Sequence, residues 1–309
     1  MKIVILGSGA MGSLYGGKLA EAGFDVILTD VWKEHIDTIN TSGLSIEGLG
    51  GDRVIRSVKG VTHPKDAGKA DLVIVFVKAT ATEEAMKGAL CLLGPETVVL
   101  TLQNGLGNVE KLSEVVGKSR VIAGITGHGC TLLGPGRIKH AGQGETIIGE
   151  PDGVITERVR NIGAVLEKAG FTIKYSNNVL GLIWGKLFAN IGINALTAIT
   201  GLKNGRLLDF PETSRLMELA VKEAMEVAAR KGIILEIDNP IEHARTIARL
   251  TAGNRSSMLQ DVSSGRQTEI DVINGAIVKE GEKLGIPTPV NMVLTNLVRV
   301  RQKTYGDVQ

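Results

Sequence analysis

Six residues near the N-terminus, Gly7-Ser8-Gly9-Ala10-Met11-Gly12, constrain the fold more than any other stretch. They follow Lys2 to Leu6 (KIVIL), a short apolar run of the kind that forms a strand buried on both faces. They lead into Gly12 to Ala22, which reads as a helix stopped by Gly23. The spacing is G-x-G-x-x-G. Alone that pattern is weak, but between a strand and a helix each glycine has a task. The first permits a tight turn, the second lets backbone approach a pyrophosphate, and the third lets helix and strand pack closely. The helix N-terminus then offers N–H groups to the anion. The rival reading is a glycine-rich structural turn in a doubly wound fold.

The second strand, Val26 to Thr29, ends at Asp30, eighteen positions beyond Gly12. A carboxylate there accepts hydrogen bonds from the adenosine ribose 2′-OH and repels a 2′-phosphate, which predicts NADH over NADPH. The alternative is that Asp30 caps a helix from Val31 to Asn40. Lys33 nearby could still pair with a phosphate.

Two more buried-type strands follow, Leu72 to Val77 and Thr97 to Leu102, with helical patterns at Lys33 to Thr41 and Thr82 to Leu92. This alternation argues a parallel sheet with right-handed crossovers. GLGG, Gly48 to Gly51, reads as a hairpin turn between short strands. The β runs from Arg120 to Glu150 read as an antiparallel extension of the sheet. Glu157 to Ala169 is helical, and Phe171 to Tyr175 is a last strand. After Asn177 only helical spacing remains, at Val179 to Thr200, Thr213 to Lys231, Pro240 to Leu250, Ser256 to Asp261 and Ile270 to Leu284. The expected architecture is an α/β Rossmann dinucleotide-binding domain over 1–176 and an all-helical substrate and catalytic domain over 177–309.

Composition narrows the function classes. The net charge is +2, and no basic run forms the cluster that nucleic acid or an anionic membrane would call for. Cys91 and Cys130 make neither a disulfide framework nor a metal site, which fits a reducing cytoplasm. The N-terminal apolar run is too short and too glycine-broken for a signal peptide. The longest apolar stretch, Val179 to Leu202, holds Lys186 and the asparagines Asn190 and Asn194, so a membrane span is not expected.

Lys186 is the most informative residue in that stretch. Asn190 and Asn194 follow at i+4 and i+8, so the three share one helix face. An ammonium and two carboxamides on an otherwise apolar helix are costly unless they act. Hydride reduction of a 2-keto acid develops negative charge on the carbonyl oxygen, which a nearby ammonium stabilises and protonates. Burial lowers a lysine pKa and favours donation near neutral pH. The bland rival is a snorkelling lysine beside core asparagines.

Four segments then carry a family resemblance over nearly the whole chain: GSGAMG, QNGLGN (Gln103 to Asn108), KLFANIGINALTAI from Lys186, and NRSSMLQDV…RQTEIDVINGAI (Asn254 to Ile277). The chain resembles the ketopantoate reductases (2-dehydropantoate 2-reductases). The resemblance implies a Rossmann domain joined to a helical domain like the C-terminal domain of 6-phosphogluconate dehydrogenase. It implies reduction of 2-dehydropantoate to (R)-pantoate in pantothenate and coenzyme A synthesis. Lys186 falls on the family's catalytic lysine, and Glu269 on the glutamate that orients it and contacts the cofactor. Asn190, Asn194 and Asn204 fall on asparagines that hold the substrate, and Ser257 on the serine that binds its carboxylate. Lys78 and Asn104 fall on cofactor- and site-facing positions, and Cys130 where the backbone meets the cofactor. Each has a bland rival, such as an ordinary turn for Asn104-Gly105 and Asn204-Gly205, or a dipole role for Glu269. The chain departs from the pattern after the second strand. Better-known members place an arginine there and favour NADPH, whereas this chain has Thr29-Asp30-Val31.

The expectation is therefore an NADH-preferring ketopantoate reductase with Lys186 as proton donor. The alternatives are an NAD-dependent D-2-hydroxyacid dehydrogenase of the same superfamily and a non-catalytic dinucleotide sensor. The segments Thr213 to Lys231 and Pro240 to Leu250 are the candidates to pack across a homodimer.

Overall fold

A computed structural model gives the fold and describes residues 1–306. The chain forms two compact units, Met1–Gln103 with Asn108–Val179, and Asn104–Gly107 with Leu180–Gln309.

The first unit begins β1 (Lys2–Leu6), α1 (Ala10–Glu21), β2 (Asp25–Thr29), α2 (Lys33–Ser42), β3 (Leu44–Gly48), β4 (Arg53–Ile55), β5 (Lys59–Val61) and β6 (Ala70–Val75). It continues α3 (Thr82–Gly88), β7 (Leu93–Thr101), α4 (Asn108–Val116), β8 (Val121–Thr126), β9 (Gly129–Gly134), β10 (Arg137–Gly142), β11 (Thr146–Gly149), α5 (Glu157–Lys168) and β12 (Ile173–Tyr175). In β1 and β6 successive side chains enter opposite cores. Ile3, Ile5, Leu72 and Ile74 pack on one side, and Val4, Leu6, Val73 and Val75 on the other. A strand buried on both faces reads as an unbroken apolar run for this reason.

The large sheet has the order β12-β11-β8-β7-β6-β1-β2-β5. Its pairs are parallel except β8 with β11. The chain leaves β1 in one direction toward β2 and in the other through β6, β7 and β8. The switch point lies between β1 and β6, where ligands bind beyond the carboxyl ends of the strands.

Residues 120–150 do not form one antiparallel extension. β8 continues the large sheet in parallel with β7 and β11 adds to it antiparallel, whereas β9 and β10 leave it and join a second sheet of order β4-β3-β10-β9. The reason lies in α1, which is buried along most of its length. Its Gly17 faces Leu44 and Ile46 of β3 so closely that a Cβ would sit 2.8–2.9 Å from their side chains. The second sheet supplies the cover that α1 needs on the side away from the first. Gly48 to Gly51 does form the β3–β4 connection, and β3 and β4 pair antiparallel.

The helical unit holds α6 (Val179–Thr200), whose first residue belongs to the other unit, then α7 (Pro211–Arg230), α8 (Pro240–Leu250), α9 (Ser257–Ser263), α10 (Asn274–Leu284) and α11 (Pro289–Lys303). Among the described residues α6 alone is long and apolar enough to cross a membrane, and 72% of its most apolar window is buried inside the protein. Gly192 lets α7 and α8 close on it: a Cβ there would meet Met217 at 2.8 Å and Ala244 at 3.4 Å. Buried Asn274 donates to the Ile191 carbonyl and to Asn291 Oδ1, and Asn291 donates to the Ala220 carbonyl and to Glu223. That network joins α6, α7, α10 and α11. Helices α7 and α8 also pair with each other, through Arg245 and Glu218.

Two features depart from the sequence pattern. Ile270 to Leu284 is not continuous: a 3-10 turn at Ile270–Val272 precedes α10, with a break at Ile273. The Val272 carbonyl is thereby released from the helix ladder and accepts the Leu106 N–H at 2.9 Å. Helix α11 has no counterpart among the predicted elements. Its buried residues Leu294 and Val298 alternate with exposed Val293, Leu297 and Val300, which blurs the apolar stripe.

Candidate active site

The carboxyl ends of β1, β2, β6 and β7 converge beside the glycine loop. Gly7 has φ +95°, its N–H donates to the Thr29 carbonyl at 3.0 Å, and a Cβ would lie 2.5 Å from the Val77 nitrogen. Gly12 tolerates no side chain, because a Cβ would lie 2.0 Å from the Gly7 carbonyl oxygen. Gly9 differs: it is the N-cap of α1, no side chain caps that helix end, and a Cβ there would meet nothing within 4 Å. Ala10 and Met11 open the helix, half-buried. Open space at a helix N-terminus is a cradle for an anion.

Asp30 is engaged by the loop. Its Oδ2 accepts the Ser8 N–H at 2.8 Å and the Ser8 hydroxyl at 3.3 Å, and its Oδ1 accepts the Trp32 N–H at 3.0 Å. It does not cap a helix from Val31: α2 starts at Lys33, with Trp32 as N-cap and no side-chain cap bond. Lys33 itself pairs with Asp37 at 2.5 Å.

Behind the loop lies a relay that sequence reasoning missed. The Gly136 N–H donates to His35 Nδ1 at 3.0 Å, so His35 Nε2 carries the proton and donates to Ser13 Oγ at 3.2 Å. Ser13 in turn donates to the Ser8 carbonyl at 2.7 Å. Burial pushes the His35 pKa below its usual value while Asp30 pulls it up. Gln103 is a second omission. Its amide donates to the Val77 carbonyl at 2.7 Å and to Thr82 Oγ1 at 2.8 Å, tying β7 to the turn after β6. No local spacing signals these partners, which lie 21–101 residues apart.

Lys78 is exposed and starts the turn before α3. Cys130 belongs to β9 of the smaller sheet, opposite His140, and burial pushes its thiol up to about 12. The thiol is therefore inert at neutral pH.

In the helical unit, Lys186, Asn190 and Asn194 share a face of α6, the first two half-buried and Asn194 buried. Burial lowers the Lys186 pKa to about 8, and the negative charge of Glu269 opposes that shift. Glu269 is half-buried at the start of the 270–272 turn. Asn104 sits in a loop docked on that turn: Gly105, at φ +83°, leaves a Cβ only 2.7 Å from Val272. Asn204 is buried, its amide donates to Thr251 Oγ1 at 2.9 Å, and its Oδ1 has no partner among the described residues. That leaves an acceptor for a hydroxyl. Of the two serines heading α9, Ser256 is spent on capping, accepting the Leu259 N–H at 3.0 Å and bonding Thr197 at 2.6 Å. Ser257 is exposed. Among the described residues no cluster of His, Cys, Asp and Glu could hold a metal ion.

This chemistry, an anion cradle in one unit and a tuned ammonium among carboxamides in the other, has relatives. Residues 3–153 match the family Ketopantoate reductase PanE/ApbA, and residues 178–302 match Ketopantoate reductase PanE/ApbA C terminal. The 2-dehydropantoate 2-reductase of Halobacterium salinarum is 37% identical over 98% of this chain and 99% of its own length. That of Pyrococcus horikoshii is 38% identical over 99% of each. Among solved structures, a PanE/ApbA family ketopantoate reductase from Ralstonia eutropha JMP134 superposes with TM-score 0.92 at 36% identity, covering 99% of this chain and 100% of that one. A D-mandelate dehydrogenase with NADH and anilino(oxo)acetate superposes with TM-score 0.93 at 30% identity, with the same coverage.

Proposed function

This chain belongs to the ketopantoate reductase family, and on that premise we propose that it reduces 2-dehydropantoate to (R)-pantoate, using NADH in preference to NADPH. The observation that carries the reading is Lys186: an ammonium on apolar α6, with its pKa drawn down to about 8 against the pull of Glu269. A donor poised near working pH is what protonation of a nascent alkoxide needs.

The residues fit a dinucleotide. Gly9 leaves open the space a pyrophosphate would fill, and tight packing at Gly7 and Gly12 holds the cradle in shape. Ser8, Ala10 and Met11 complete it, and Lys78, Asn104, Cys130 and Glu269 are assigned to the cofactor on family grounds. When bound, the reduced nicotinamide supplies the hydride that the keto carbon C2 takes up. Lys186 Nζ donates a proton to the carbonyl oxygen, is left as a neutral amine, and regains its proton from solvent. Glu269 keeps the lysine charged beforehand. Asn190, Asn194 and Asn204 orient the keto acid, with the Asn204 Oδ1 available to a substrate hydroxyl, and Ser257 binds the carboxylate. Asp30 supports the NADH preference, since a carboxylate at the end of β2 repels a 2′-phosphate. Residues 1–176 form the dinucleotide domain in this reading and 177–309 the catalytic one. The free thiols of Cys91 and Cys130 suit a cytoplasmic enzyme.

A second reading, an NAD-dependent D-2-hydroxyacid dehydrogenase, is favoured by the likeness to D-mandelate dehydrogenase. Initial rates decide between them, with ketopantoate and 2-ketoisovalerate each offered with NADH and with NADPH. Fastest turnover of ketopantoate with NADH is expected. Faster turnover of 2-ketoisovalerate would favour the dehydrogenase, and NADPH preference would remove the Asp30 argument. A binding protein without catalysis would turn over neither.

A further inference from the structure

Glu269 lies beside a three-residue 3-10 turn, which has little cooperativity of its own and must be placed by tertiary contacts. Those contacts come from α11. The Thr268 N–H, on a residue 1% exposed, donates to Gln302 Oε1 at 2.5 Å. Asp271 Oδ1 accepts from Arg299 twice, from Nε at 2.7 Å and from a terminal nitrogen at 2.6 Å. Arg299 and Gln302 are three apart and so share a face of the helix. Glu269 is thus bracketed: the residue before it and the residue two beyond it are both fixed to α11. The same turn holds Asn104 in place, because the Val272 carbonyl accepts the Leu106 N–H and Gly105 packs against Val272.

We propose that Arg299 and Gln302 are positioning residues, which hold Glu269 against Lys186 and steady the turn on which the Asn104 loop is docked. Nothing in the reaction itself assigns them a part. The inference rests on the reading of Lys186 and Glu269 as the proton-donating pair. An exposed ion pair such as Arg299–Asp271 contributes little to stability, so its value here is geometric. The clamp is not a core contact either. An open cavity of about 710 Å³ lies against it, lined by Arg299, Gln302, Asp271 and Lys303 among others. Truncation there removes a tether without leaving a void in a packed interior.

A slack Glu269 would raise the Lys186 pKa less, so the lysine would lose its proton at lower pH. The test is the pH profile of kcat for Arg299→Ala, Gln302→Ala and the double variant, with Tm alongside. The basic limb is expected to move down by about 0.5–1 pH unit, with an about two- to fivefold loss of kcat at pH 8 as an order-of-magnitude figure. Gln302→Glu retains an acceptor for the Thr268 N–H and should restore the limb in that position. A limb that stays put in the double variant overturns the proposal, whether Tm holds or falls. Glu269→Gln separates the two layers. If it moves the limb and the α11 variants do not, only the clamp fails. If it leaves the limb in place, the Lys186–Glu269 reading fails and the clamp with it.

Discussion

The Ser8 N–H donates to Asp30 Oδ2 at 2.8 Å, so the residue that would choose the cofactor also braces the loop that would hold it. Asp30→Ala therefore does two things at once. It removes the charge that would face the ribose and frees the Ser8 amide. The cleaner substitution is Asp30→Asn, which is neutral but retains a carbonyl acceptor for Ser8. Its NADPH to NADH ratio in kcat/KM is expected to rise by about tenfold, a change of ~1.4 kcal/mol. Asp30→Ala should relax the ratio similarly but weaken both cofactors. A ratio unchanged in Asp30→Asn would refute a charge-based preference.

Two of the motif glycines should fail in different ways. Gly12→Ala places a methyl 2.0 Å from the Gly7 oxygen, so helix and loop must part, at a cost of about 1–3 kcal/mol by the usual scale of overpacking. Gly9→Ala meets no neighbour and has φ −60°, which any residue adopts. Its stability should change by no more than about 1 kcal/mol. Its KM for NADH should nevertheless rise at least ~10-fold, because the methyl enters the space a pyrophosphate would take. Melting curves and NADH titrations of the two variants check this pair. Normal NADH affinity in Gly9→Ala would mean that the open space is not the pyrophosphate seat.

The legible part of the sequence was local. KIVIL and LVIVFV announced strands buried on both faces, and the four-residue spacing of Lys186, Asn190 and Asn194 announced one helix face. Glycine context likewise told Gly7 and Gly12 apart from decorative turns. What stayed hidden depends on distant partners. β10 pairs in parallel with β3, Arg137 opposite Ser45, so neither strand's own pattern says which sheet it joins. The relay from Gly136 through His35 and Ser13 to Ser8 is invisible for the same reason. α11 was masked by apolar residues on both its covered and its exposed sides. The polar ties of Arg299 and Gln302 look like any helix surface until the turn they grip is seen.

Lys186 should govern both the rate and its pH dependence. Lys186→Ala is expected to lower kcat by roughly 10²–10⁴-fold, the range for a lost general acid. On the proposed mechanism the donor is the ammonium, which is present below a pKa of about 8 and lost above it. Turnover in the wild type should therefore fall as pH climbs through about 8, with no such limb in the residual activity of Lys186→Ala. Near-normal turnover in that variant would take Lys186 out of the chemistry.

His128 should set part of the acid stability of the first unit. Its Nδ1 lies 3.0 Å from His140 Nε2, its Nε2 is buried without a partner among the described residues, and its ring meets Tyr15 and Phe171 edge-on. Burial, then His140, then Lys18 push its pKa down to about 4. A histidine depressed in this way binds its proton more readily in the unfolded chain. Its contribution is whole above the ordinary value near 6.5 and drains away as pH falls toward about 4. The slope is at most about 1.4 kcal/mol per pH unit for one proton, reduced by solvent screening because the ring is only half-buried. His35 and His140 are depressed too and lend the wild type a slope of the same sign. Urea unfolding at pH 7.5, 5.5 and 4.5 would isolate the share of His128, since His128→Gln takes up no proton and should flatten the dependence. A variant with the wild-type slope would assign the acid sensitivity to the other histidines.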